Sequence, residues 1–596
     1  MKWDLTYLFK TEEDFKQSLG DIEALIDTMA SYKNKLNNEK DFVDYLLKEK
    51  ELEEKLGRSY QYASLKSDLN KKDVNALNNL NKCQMLIYSL NEKCAFQDPE
   101  ILGLGKDKVM SFIDNNNAIE EFRFPMEKLF NEFEHVLDQN SERLLSYYSP
   151  LTAAGASLFS SLTVGDSTEK DVKLANMQYI KVNQSNFQSL IGTTLNARDR
   201  RKIFEAIYDE YASHKNVLAD IYKTVLDADK AEMKARNFDS SLSAHLSKNK
   251  IPLEVYYNLV EVASSNTEAV KRYLKLRKKY LKLSTYHTYD RFLPLAKSTK
   301  KYTYEEAKKL FFDSIEKFPA DFVAKAHQAL EDGFVDVNIA EGKRSGAYSS
   351  GMANLHPYIL LNHDSSLESA FTLAHESGHS IHTLYAMESQ PTMLQDYTIF
   401  VAEIASTFNE HNLLDYFLQQ SSTTKEEKIM VLQKAIDSII STFYRQTLFA
   451  EYELRAHEAN EKGEPINHET LSNIMIELYE KYYGLDINKE KVKKYVWAYI
   501  PHLFYTPFYV YQYATSFAAS FKLYKDVKEN GEEAFNRYIN LLKAGGSKYP
   551  MEEVKEAGVD FTEKSSFLAV VERMEELVNK LEDLIKDDLK TPRKKY

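Results

Sequence analysis

The sequence contains only two cysteines, Cys83 and Cys94, among 596 residues. The pattern around them predicts one helix, on which eleven residues would separate the two positions by about 16 Å. That distance excludes a disulfide between them. Two thiols, together with a start that lacks a long apolar run behind basic residues, predict a cytoplasmic protein.

Glycine and proline are also scarce, with 18 and 13 residues in the whole chain. Long helices should therefore have few interruptions. Apolar residues follow helical spacing near both ends of the chain, first at Ile22, Leu25, Ile26 and Met29 and later between positions 567 and 581. No repeat of fixed length is visible, so a regular solenoid is not expected. The predicted fold class is mainly α.

An excess of positive charge is absent too. The net charge is −13, from 77 basic and 90 acidic residues, which argues against nucleic acid as a partner. One segment, 495–521, has no charged residue and would be long enough to span a bilayer. It contains Pro501, Pro507, His502 and several tyrosine hydroxyls, which are unfavourable in lipid. We therefore expect no membrane partner, and a buried helix that lines an internal cavity.

Strand signals are few and local. "GKRSGAYSSG" (342–351) and "HPYILLNH" (356–363) predict a small hairpin or sheet, and "FVDVNIA" (334–340) is a weaker third candidate. The turn-rich stretch 161–174 predicts an interruption between two helical regions. We place a boundary near residue 180, which gives an N-terminal helical lobe over 1–180 and a catalytic region over 181–596.

The strongest motif is His375-Glu376-Ser377-Gly378-His379, which has the form His-Glu-x-x-His. Ser365 and Glu368 have the spacing of a capping box and predict that a helix begins just before it. On a helix, His375 and His379 share one face and could bind a single zinc ion. Glu376 projects about 100° around the helix, where it could reach a metal-bound water. The alternative is a polar helix face with incidental histidines.

A catalytic zinc usually has three protein ligands and leaves a fourth position to water. His382 is a poor third ligand, because on an unbroken helix it would lie about 10 Å along the axis from His375. Glu403 is a better one, since it lies among apolar residues of segment 396–414, where an unpaired charge is unfavourable. Glu410 shares its helix face and could hold a ligand histidine by a hydrogen bond.

The uncharged segment contains His502, Tyr505, Tyr509 and Tyr513 at spacings of three, four and four. On one helix these residues would form a single stripe. A zinc peptidase needs a hydrogen-bond donor for the oxyanion that forms at the attacked carbonyl, and a tyrosine or a histidine could supply it. The alternative is aromatic core packing, since the chain has 40 tyrosines. Which tyrosine would be the donor is open.

Several stretches resemble the M3 (thimet oligopeptidase-like) zinc peptidases: "HESGH", "FVAEIASTFNE" and "IPHLFYTPFYVYQYATS". The opening "WDLTYLF" and the late "AGGSKYP" resemble the oligoendopeptidase F branch of that family. The resemblance implies one zinc ion per chain, held by His375, His379 and Glu403, with Glu376 as the general base. It also implies a large two-lobed helical body with a deep channel and a small β-sheet near the zinc helix.

In thimet-like members a histidine and several tyrosines of the C-terminal region bind substrate, and His502 and Tyr513 correspond to two of them. The resemblance also implies a substrate-binding edge strand within 345–360. The predicted function is a zinc-dependent endopeptidase that hydrolyses internal bonds of short peptides. The alternatives are a zinc exopeptidase, of the dipeptidyl carboxypeptidase or carboxypeptidase kind, and a catalytically inactive helical scaffold.

Overall fold

Helices dominate the chain. The computed structural model describes residues 2–590 except positions 133, 134, 136, 138 and 353. That part of the chain contains 27 α-helices and five short strands. The predicted mainly α fold class is confirmed.

The helices of the first half are α1 (Glu12–Ala30), α2 (Glu39–Leu69), α3 (Val74–Lys93), α4 (Gln97–Leu104), α5 (Lys106–Asp114), α6 (Arg123–Glu132), α7 (Gln139–Thr152), α8 (Ala154–Ser160), α9 (Phe187–Thr193), α10 (Ala197–Ser213), α11 (Lys215–Ala235), α12 (Ser241–Ser247), α13 (Leu253–Ser265) and α14 (Glu268–Tyr280). The second half contains α15 (Tyr304–Ile315), α16 (Ala320–Ala329), α17 (Leu367–Ser389), α18 (Ile399–Gln419), α19 (Lys425–Ser438), α20 (Arg445–Glu461), α21 (His468–Tyr483), α22 (Val496–Tyr499), α23 (His502–Tyr505), α24 (Tyr511–Asn530), α25 (Glu532–Ala544), α26 (Pro550–Glu556) and α27 (Ser565–Ile585).

The helices predicted near the two ends are confirmed as α1 and α27. Ile22, Leu25, Ile26 and Met29 are all buried on one face of α1. Thr11 caps that helix: its side chain accepts from the Asp14 N–H, and the Asp14 carboxylate accepts in return from the Thr11 N–H. Local sequence therefore determines both where this helix begins and which face it buries.

The five strands form two small sheets. β1 (Lys170–Lys173) pairs antiparallel with β2 (Tyr179–Val182), with Lys170 opposite Val182. The second sheet has the order β3-β5-β4, from β3 (Val335–Asp336), β4 (Tyr348–Ser350) and β5 (Tyr358–Leu360). β4 pairs antiparallel with β5, and β3 pairs parallel with it. The small sheet predicted before the histidine helix is confirmed, including its weaker third strand.

The chain divides into two compact units, each of which combines three separate segments. The first unit consists of Met1–Glu134, Thr299–Gln419 and Ala519–Val559. The second consists of His135–Ser298, Gln420–Ala518 and Asp560–Tyr596. The lobe boundary expected near residue 180 refers to consecutive stretches of the chain, and it stays a prediction.

In the first unit, helix α17 lies in the interior. It contacts α15, α16, α18 and α25 as well as strands β4 and β5. The N-terminal segment supports this sheet, since the Trp3 indole donates to the Ile359 carbonyl of β5 at 2.9 Å. Fourteen of the 23 residues of α17 are buried, so polar side chains on this helix need partners.

The second unit contains a buried arginine that fixes a turn after α14. Arg277 donates to the carbonyls of Asp290, Arg291 and Leu293 at 3.0, 3.0 and 2.5 Å. The Asp290 carboxylate in turn pairs with Arg200 of α10 at 3.0 Å. These contacts satisfy three backbone acceptors at once and hold the turn rigidly.

Both cysteines are buried free thiols. Cys83 lies within α3, and Cys94 directly follows the last residue of that helix. The exclusion of a disulfide is confirmed. No helix in the described part of the chain is both long and apolar enough to cross a bilayer.

Candidate metal centre

Helix α17 carries the His-Glu-x-x-His motif, and its start differs from the predicted one. Ser366 caps the helix, with its Oγ accepting from the Ser369 N–H at 3.1 Å. Ser365 precedes the cap with a left-handed φ of +62°. The capping box predicted from Ser365 and Glu368 is therefore wrong by one residue, because Ser369 rather than Glu368 occupies the third helical position.

Gly378 allows α17 and α18 to approach each other closely. A Cβ atom added to this glycine would lie 2.4 Å from the Ala405 carbonyl oxygen and 2.5 Å from the Ser406 Cα. Backbone atoms cannot yield as a flexible side chain can, so only glycine fits at this crossing. The Asn409 amide also donates to the Ala374 carbonyl at 3.1 Å, which fixes the two helices in register.

This crossing brings together three groups that could bind a metal. His375 Nε2 lies 3.4 Å from Glu403 Oε2, and His379 Nε2 lies 3.5 Å from the same oxygen. One donor atom from each residue lies within 4.8 Å of the others. Tetrahedral zinc with ligands at 2.0–2.1 Å would separate its donors by about 3.3–3.4 Å. The donor set and its spacing therefore fit zinc.

Neighbouring side chains orient these donors. Glu410 Oε1 lies 2.7 Å from His375 Nδ1, which leaves Nε2 of that ring facing Glu403. Ser406 Oγ donates to Glu403 Oε2 at 2.9 Å. The Ala402 carbonyl accepts a hydrogen bond from the His379 ring. Contacts of this kind fix the tautomer and the direction of a ligand before the metal arrives.

The charges of the three groups respond to their surroundings. Burial alone would lower the pKa of His375, but its contacts with Glu403 and Glu410 raise it well above the usual value. Burial lowers the pKa of His379 to about 4. Burial opposes ionisation of Glu403, yet the two histidines lower its pKa to about 2. The ionised Glu403 and the neutral His379 are in the state that a metal cation needs, whereas His375 must lose its proton to bind one.

Glu376 lies next to this cluster and is 6% exposed. Its pKa rises to about 7, chiefly through burial and also through Glu403 and Glu410, while His375 opposes the change. The Ser349 N–H of β4 donates to its carboxylate. Its Oε2 atom is buried and has no hydrogen-bond partner in the described part of the chain. A buried acceptor without a partner is unfavourable in a resting structure, and it has the chemistry of a general base.

His382 does not reach the cluster of His375, His379 and Glu403. Its ring is 1% exposed and stacks on Tyr397, with ring centroids 3.7 Å apart and an angle of 8° between the planes. Burial lowers its pKa to about 3, so this imidazole is neutral. It packs beneath the motif, as expected from its position on the helix.

The segment that contains His502, Tyr505, Tyr509 and Tyr513 is not one helix, so the predicted continuous stripe is wrong. Helix α23 ends at Tyr505, and α24 begins only at Tyr511. Pro507 explains the break, because proline lacks an N–H and restricts the residue before it. Phe508 then adopts a left-handed φ of +54°. The predicted single buried helix over 495–521 is wrong for the same reason.

Three of these four residues still meet in the second unit. The Tyr513 hydroxyl lies 3.4 Å from His502 Nε2. The rings of His502 and Tyr509 are parallel within 2°, with centroids 5.8 Å apart. Tyr509 and Tyr513 pack edge to face at 5.5 Å. We name His502, Tyr509 and Tyr513 the aromatic cluster.

Tyr505 does not join the aromatic cluster. Its ring packs edge to face on Phe159 at 5.5 Å, and the residue is 43% exposed. Tyr511 is buried against Tyr256. The break after α23 thus separates Tyr505 from the tyrosines with which it shares helical spacing.

Sequence reasoning missed Gly378, Ser406 and Ser349. Gly378 does carry a detectable signal, because glycine inside a helix costs up to about 1 kcal/mol relative to alanine and therefore indicates close packing. Ser406 lies three residues after Glu403, a spacing that places it on the same helix face. The Ser349 backbone contact has no signal in the sequence, since any residue could supply an N–H.

Family models match most of the chain. The model described as peptidase family M3 matches residues 194–573, and the model described as oligopeptidase F matches residues 100–168. Oligopeptidase PepF of Bacillus subtilis (strain 168) is 34% identical over 585 residues, covering 98% of this chain and 87% of that protein. Group B oligopeptidase PepB of Streptococcus agalactiae serotype III (strain NEM316) is 33% identical, covering 98% and 97%.

Solved structures agree with these matches. A structure from Chlamydophila abortus has a TM-score of 0.87 and 31% identity, and the match covers 98% of each chain. Oligoendopeptidase-F from Enterococcus faecium has a TM-score of 0.75 and 27% identity, and the match covers 97% of this chain and 99% of that one.

The helical fold matches that of a solved oligoendopeptidase F, and the matching family model is that of a peptidase. The chain belongs to peptidase family M3, since the family model matches well over half of it and relatives above 30% identity extend over nearly its whole length. The resemblance inferred from the motifs, including that to oligoendopeptidase F, is confirmed.

Proposed function

We propose that this protein is a zinc-dependent endopeptidase that hydrolyses internal bonds of short peptides. One observation carries the proposal: donor atoms of His375, His379 and Glu403 lie within 4.8 Å of one another, and the unpartnered Oε2 of Glu376 belongs to the next residue of the same helix. Family membership and the relatives named as oligopeptidases support peptides as the substrates.

His375, His379 and Glu403 would hold the zinc ion. A zinc ion bound there supplies a Lewis acid that acidifies water and polarises a peptide carbonyl. Glu376 would accept the proton of the attacking water at Oε2 and pass it to the leaving amine. Glu410, through His375 Nδ1, would keep the imidazole oriented with Nε2 toward the ion. These roles form part of the proposal.

Strand β4 offers a way to bind a peptide backbone. Within the described part of the chain it pairs only with β5, so it is an edge strand beside which a further strand could lie. Ser349 of β4 donates its N–H to Glu376 and its hydroxyl lies 2.8 Å from that of Ser380 in α17. A peptide added to this edge would lie beside the motif helix. This position agrees with the edge strand expected within 345–360.

Digestion of a peptide mixture would test the activity. The mixture should contain short and long peptides, each with free or blocked ends, and cleavage sites should be determined by mass spectrometry with and without a zinc chelator. We expect internal cleavage of short peptides, including blocked ones, that stops with the chelator and returns with zinc. Release of terminal residues only from free ends would support an exopeptidase instead, and cleavage that ignores the chelator would contradict the zinc site.

Zinc content would test the ligand set separately. Glu403→Ala should lower bound zinc well below about one ion per chain, because only two protein ligands remain. Glu388→Ala is a suitable control, since that half-exposed carboxylate pairs with Lys325 at the end of α17. Unchanged zinc in Glu403→Ala would mean that another residue is the third ligand. A wild-type chain that carries no zinc and cleaves no peptide would favour a scaffold.

A cytoplasmic site of action belongs to the same proposal. Cys83 and Cys94 are free thiols, and unpaired cysteines are typical of reducing compartments. Fractionation of the producing cell with an antibody against the chain would test this part of the proposal.

A further inference from the structure

The second unit contains a cavity of about 190 Å³ whose charged groups are all positive. Arg291, Arg445 and Lys493 line it, together with aromatic side chains that include Phe204, Tyr208 and Tyr289. None of these residues has a role in the proposed peptide hydrolysis.

The three cations come from three separate elements. Arg291 lies in a short 3-10 helix (Thr288–Phe292), Arg445 is the first residue of α20, and Lys493 begins a second 3-10 helix (Lys493–Tyr495). Lys493 is 4% exposed, whereas the two arginines are half-buried and reachable from solvent. Tertiary structure, not local sequence, therefore creates this concentration of charge.

Two carboxylates, Glu490 and Asp437, interact with Lys493 and Arg291 at a distance, but neither forms an ion pair with them in the described part of the chain. Among the residues that the structure describes, none of the three forms an ion pair; their contacts are with aromatic rings. The Arg291 guanidinium lies 4.6 Å from the centre of the Phe292 ring, and that of Arg445 lies 4.7 Å from the Phe449 ring. Lys493 Nζ lies 4.9 Å from the Tyr208 ring and 3.5 Å from its hydroxyl. Such contacts stabilise a cation but leave its charge uncompensated.

Nearby carboxylates are bound elsewhere. Glu490 accepts from the N–H and the hydroxyl of Thr288 at 2.7 and 2.5 Å. Asp290 pairs with Arg200 at 3.0 Å and accepts from the His287 N–H at 2.9 Å. These acids hold the wall of the cavity together, and in the described part of the chain neither forms an ion pair with the three cations.

The electrostatics agree with the geometry. The pKa of Lys493 falls to about 8, chiefly through burial and also through Arg445 and Arg291, while Tyr479 and Glu490 oppose the change. Burial and Arg445 also lower the pKa of Arg291. The pKa of Tyr479 falls despite its burial, because Lys493 and the two arginines favour the phenolate. Like charges this close repel one another unless an anion lies between them.

The cavity is also held in place before any ligand binds. Arg277 donates to the carbonyls of Asp290, Arg291 and Leu293, and these hydrogen bonds fix the backbone around Arg291. A site with its donors already positioned loses less entropy when it binds a ligand.

We propose that this cavity binds a phosphate group, either as free phosphate or as part of a small aromatic phosphate ester. Three cations match a multiply charged oxyanion better than a single carboxylate, and two guanidinium groups can each bind two of its oxygens. The aromatic walls would accept a planar ring attached to the phosphate. The volume excludes a large nucleotide or a nucleic acid strand.

Isothermal titration calorimetry of the full-length protein would test this proposal. Inorganic phosphate and phenyl phosphate should be titrated separately at constant ionic strength, with chloride as the balancing salt. We expect saturable binding of about one phosphate per chain that chloride does not reproduce. Tighter binding of phenyl phosphate than of phosphate would assign the site to aromatic esters, and equal binding would assign it to free phosphate.

Substitutions would locate the site. Arg291→Gln and Arg445→Gln should each weaken phosphate binding about ten- to a hundredfold, since each removes a charge-assisted donor. Lys489→Gln is a matched control outside the cavity, because its exposed side chain pairs with Asp486 and with no other carboxylate in the described part of the chain. That variant should bind phosphate like the wild type. None of these residues belongs to the proposed zinc site, so zinc content should not change in any variant.

Thermal unfolding without phosphate gives a second readout. Removing one of three mutually repelling charges should leave Tm unchanged or raise it, whereas loss of a merely structural arginine would lower it. Absence of saturable binding to the wild type would overturn the proposal, even if the variants do not fold. Equal phosphate affinity in the wild type and in folded Arg291→Gln and Arg445→Gln would overturn it as well.

Discussion

The metal-binding candidates and the aromatic cluster lie on different kinds of backbone. His375 and His379 project from one uninterrupted helix, and Glu403 projects from a second one that crosses it at Gly378. His502 and Tyr513 lie on either side of a break at Pro507. A spacing of four residues places side chains side by side only where the helix is continuous. The same spacing therefore brings His375 and His379 together on α17 but does not bring Tyr505 and Tyr509 together.

The two regions also differ in how their positions are fixed. On α17 and α18, Gly378 and the Asn409 amide hold the helix backbones together, and Glu410 and Ser406 orient the donors. In the aromatic cluster, the contacts include ring packing and a long hydrogen bond of 3.4 Å. Substitutions in the first region should therefore have larger effects than substitutions in the second.

The largest effect is expected from Glu376→Gln. Without a proton acceptor beside the motif histidines, kcat should fall by about 10²–10⁴-fold, the usual contribution of a general base. Bound zinc should stay near the wild-type level, because Glu376 lies outside the donor cluster. Steady-state kinetics on a short peptide and metal analysis of the same preparation would measure both quantities. Near-normal kcat would remove Glu376 from the role of base.

The next largest effect is expected from Gly378→Ala. The added methyl group would overlap the backbone of Ala405 and Ser406, so the helices must separate. Overpacking of this kind lowers the free energy of unfolding by about 1–3 kcal/mol. Zinc affinity should fall as well, because Glu403 moves away from the histidines. Thermal unfolding and zinc titration would measure the two effects.

Gly20→Ala is the matched control for that substitution. Gly20 lies in the exposed part of α1, and a Cβ there would meet nothing within 4 Å. Alanine should therefore stabilise the helix by up to about 1 kcal/mol. If Gly378→Ala and Gly20→Ala change Tm in the same direction, the close approach of α17 and α18 does not explain why the motif has a glycine at position 378.

A smaller effect is expected from Glu410→Ala. Loss of the 2.7 Å contact with His375 Nδ1 frees the imidazole to rotate, which should weaken zinc binding about ten- to a hundredfold. Glu410→Gln keeps an acceptor oxygen at the same distance and should recover most of the affinity. A competitive zinc chelator would measure the dissociation constants. Equal affinity in the wild type and Glu410→Ala would show that the ring is held by other contacts.

The group of His375, His379 and Glu403 could be predicted from the sequence, because it depends on helical spacing and on the residues next to each of them in the chain. The motif and the apolar surroundings of Glu403 were enough to predict that these residues meet, and the structure brings them together. Whether they bind zinc is still a prediction. The small sheet was also predicted, since its strands have clear glycine-rich and apolar boundaries. The helix start was wrong by one residue, a common error where several serines compete for one cap.

Other features could not be predicted, because they depend on contacts between distant parts of the chain. The cavity of Arg291, Arg445 and Lys493 draws on residues about 200 positions apart, with no shared motif. The two units each combine three segments, which a reading along the chain cannot show. The break at Pro507 is different: the sequence shows the proline, and the regular spacing of the tyrosines favours one helix, but the missing N–H of proline interrupts it.

The smallest effect is expected from Tyr513→Phe, which tests the aromatic cluster. If the Tyr513 hydroxyl donates to the oxyanion, its removal should lower kcat about five- to tenfold and leave KM nearly unchanged, because one neutral hydrogen bond contributes only modestly. Tyr505→Phe is the matched control, since Tyr505 lies outside the cluster and packs on Phe159. Steady-state kinetics of both variants on the same peptide would give the kcat and KM values to compare. An equal decrease in both variants, or none in Tyr513→Phe, would mean that membership in the cluster does not identify the donor.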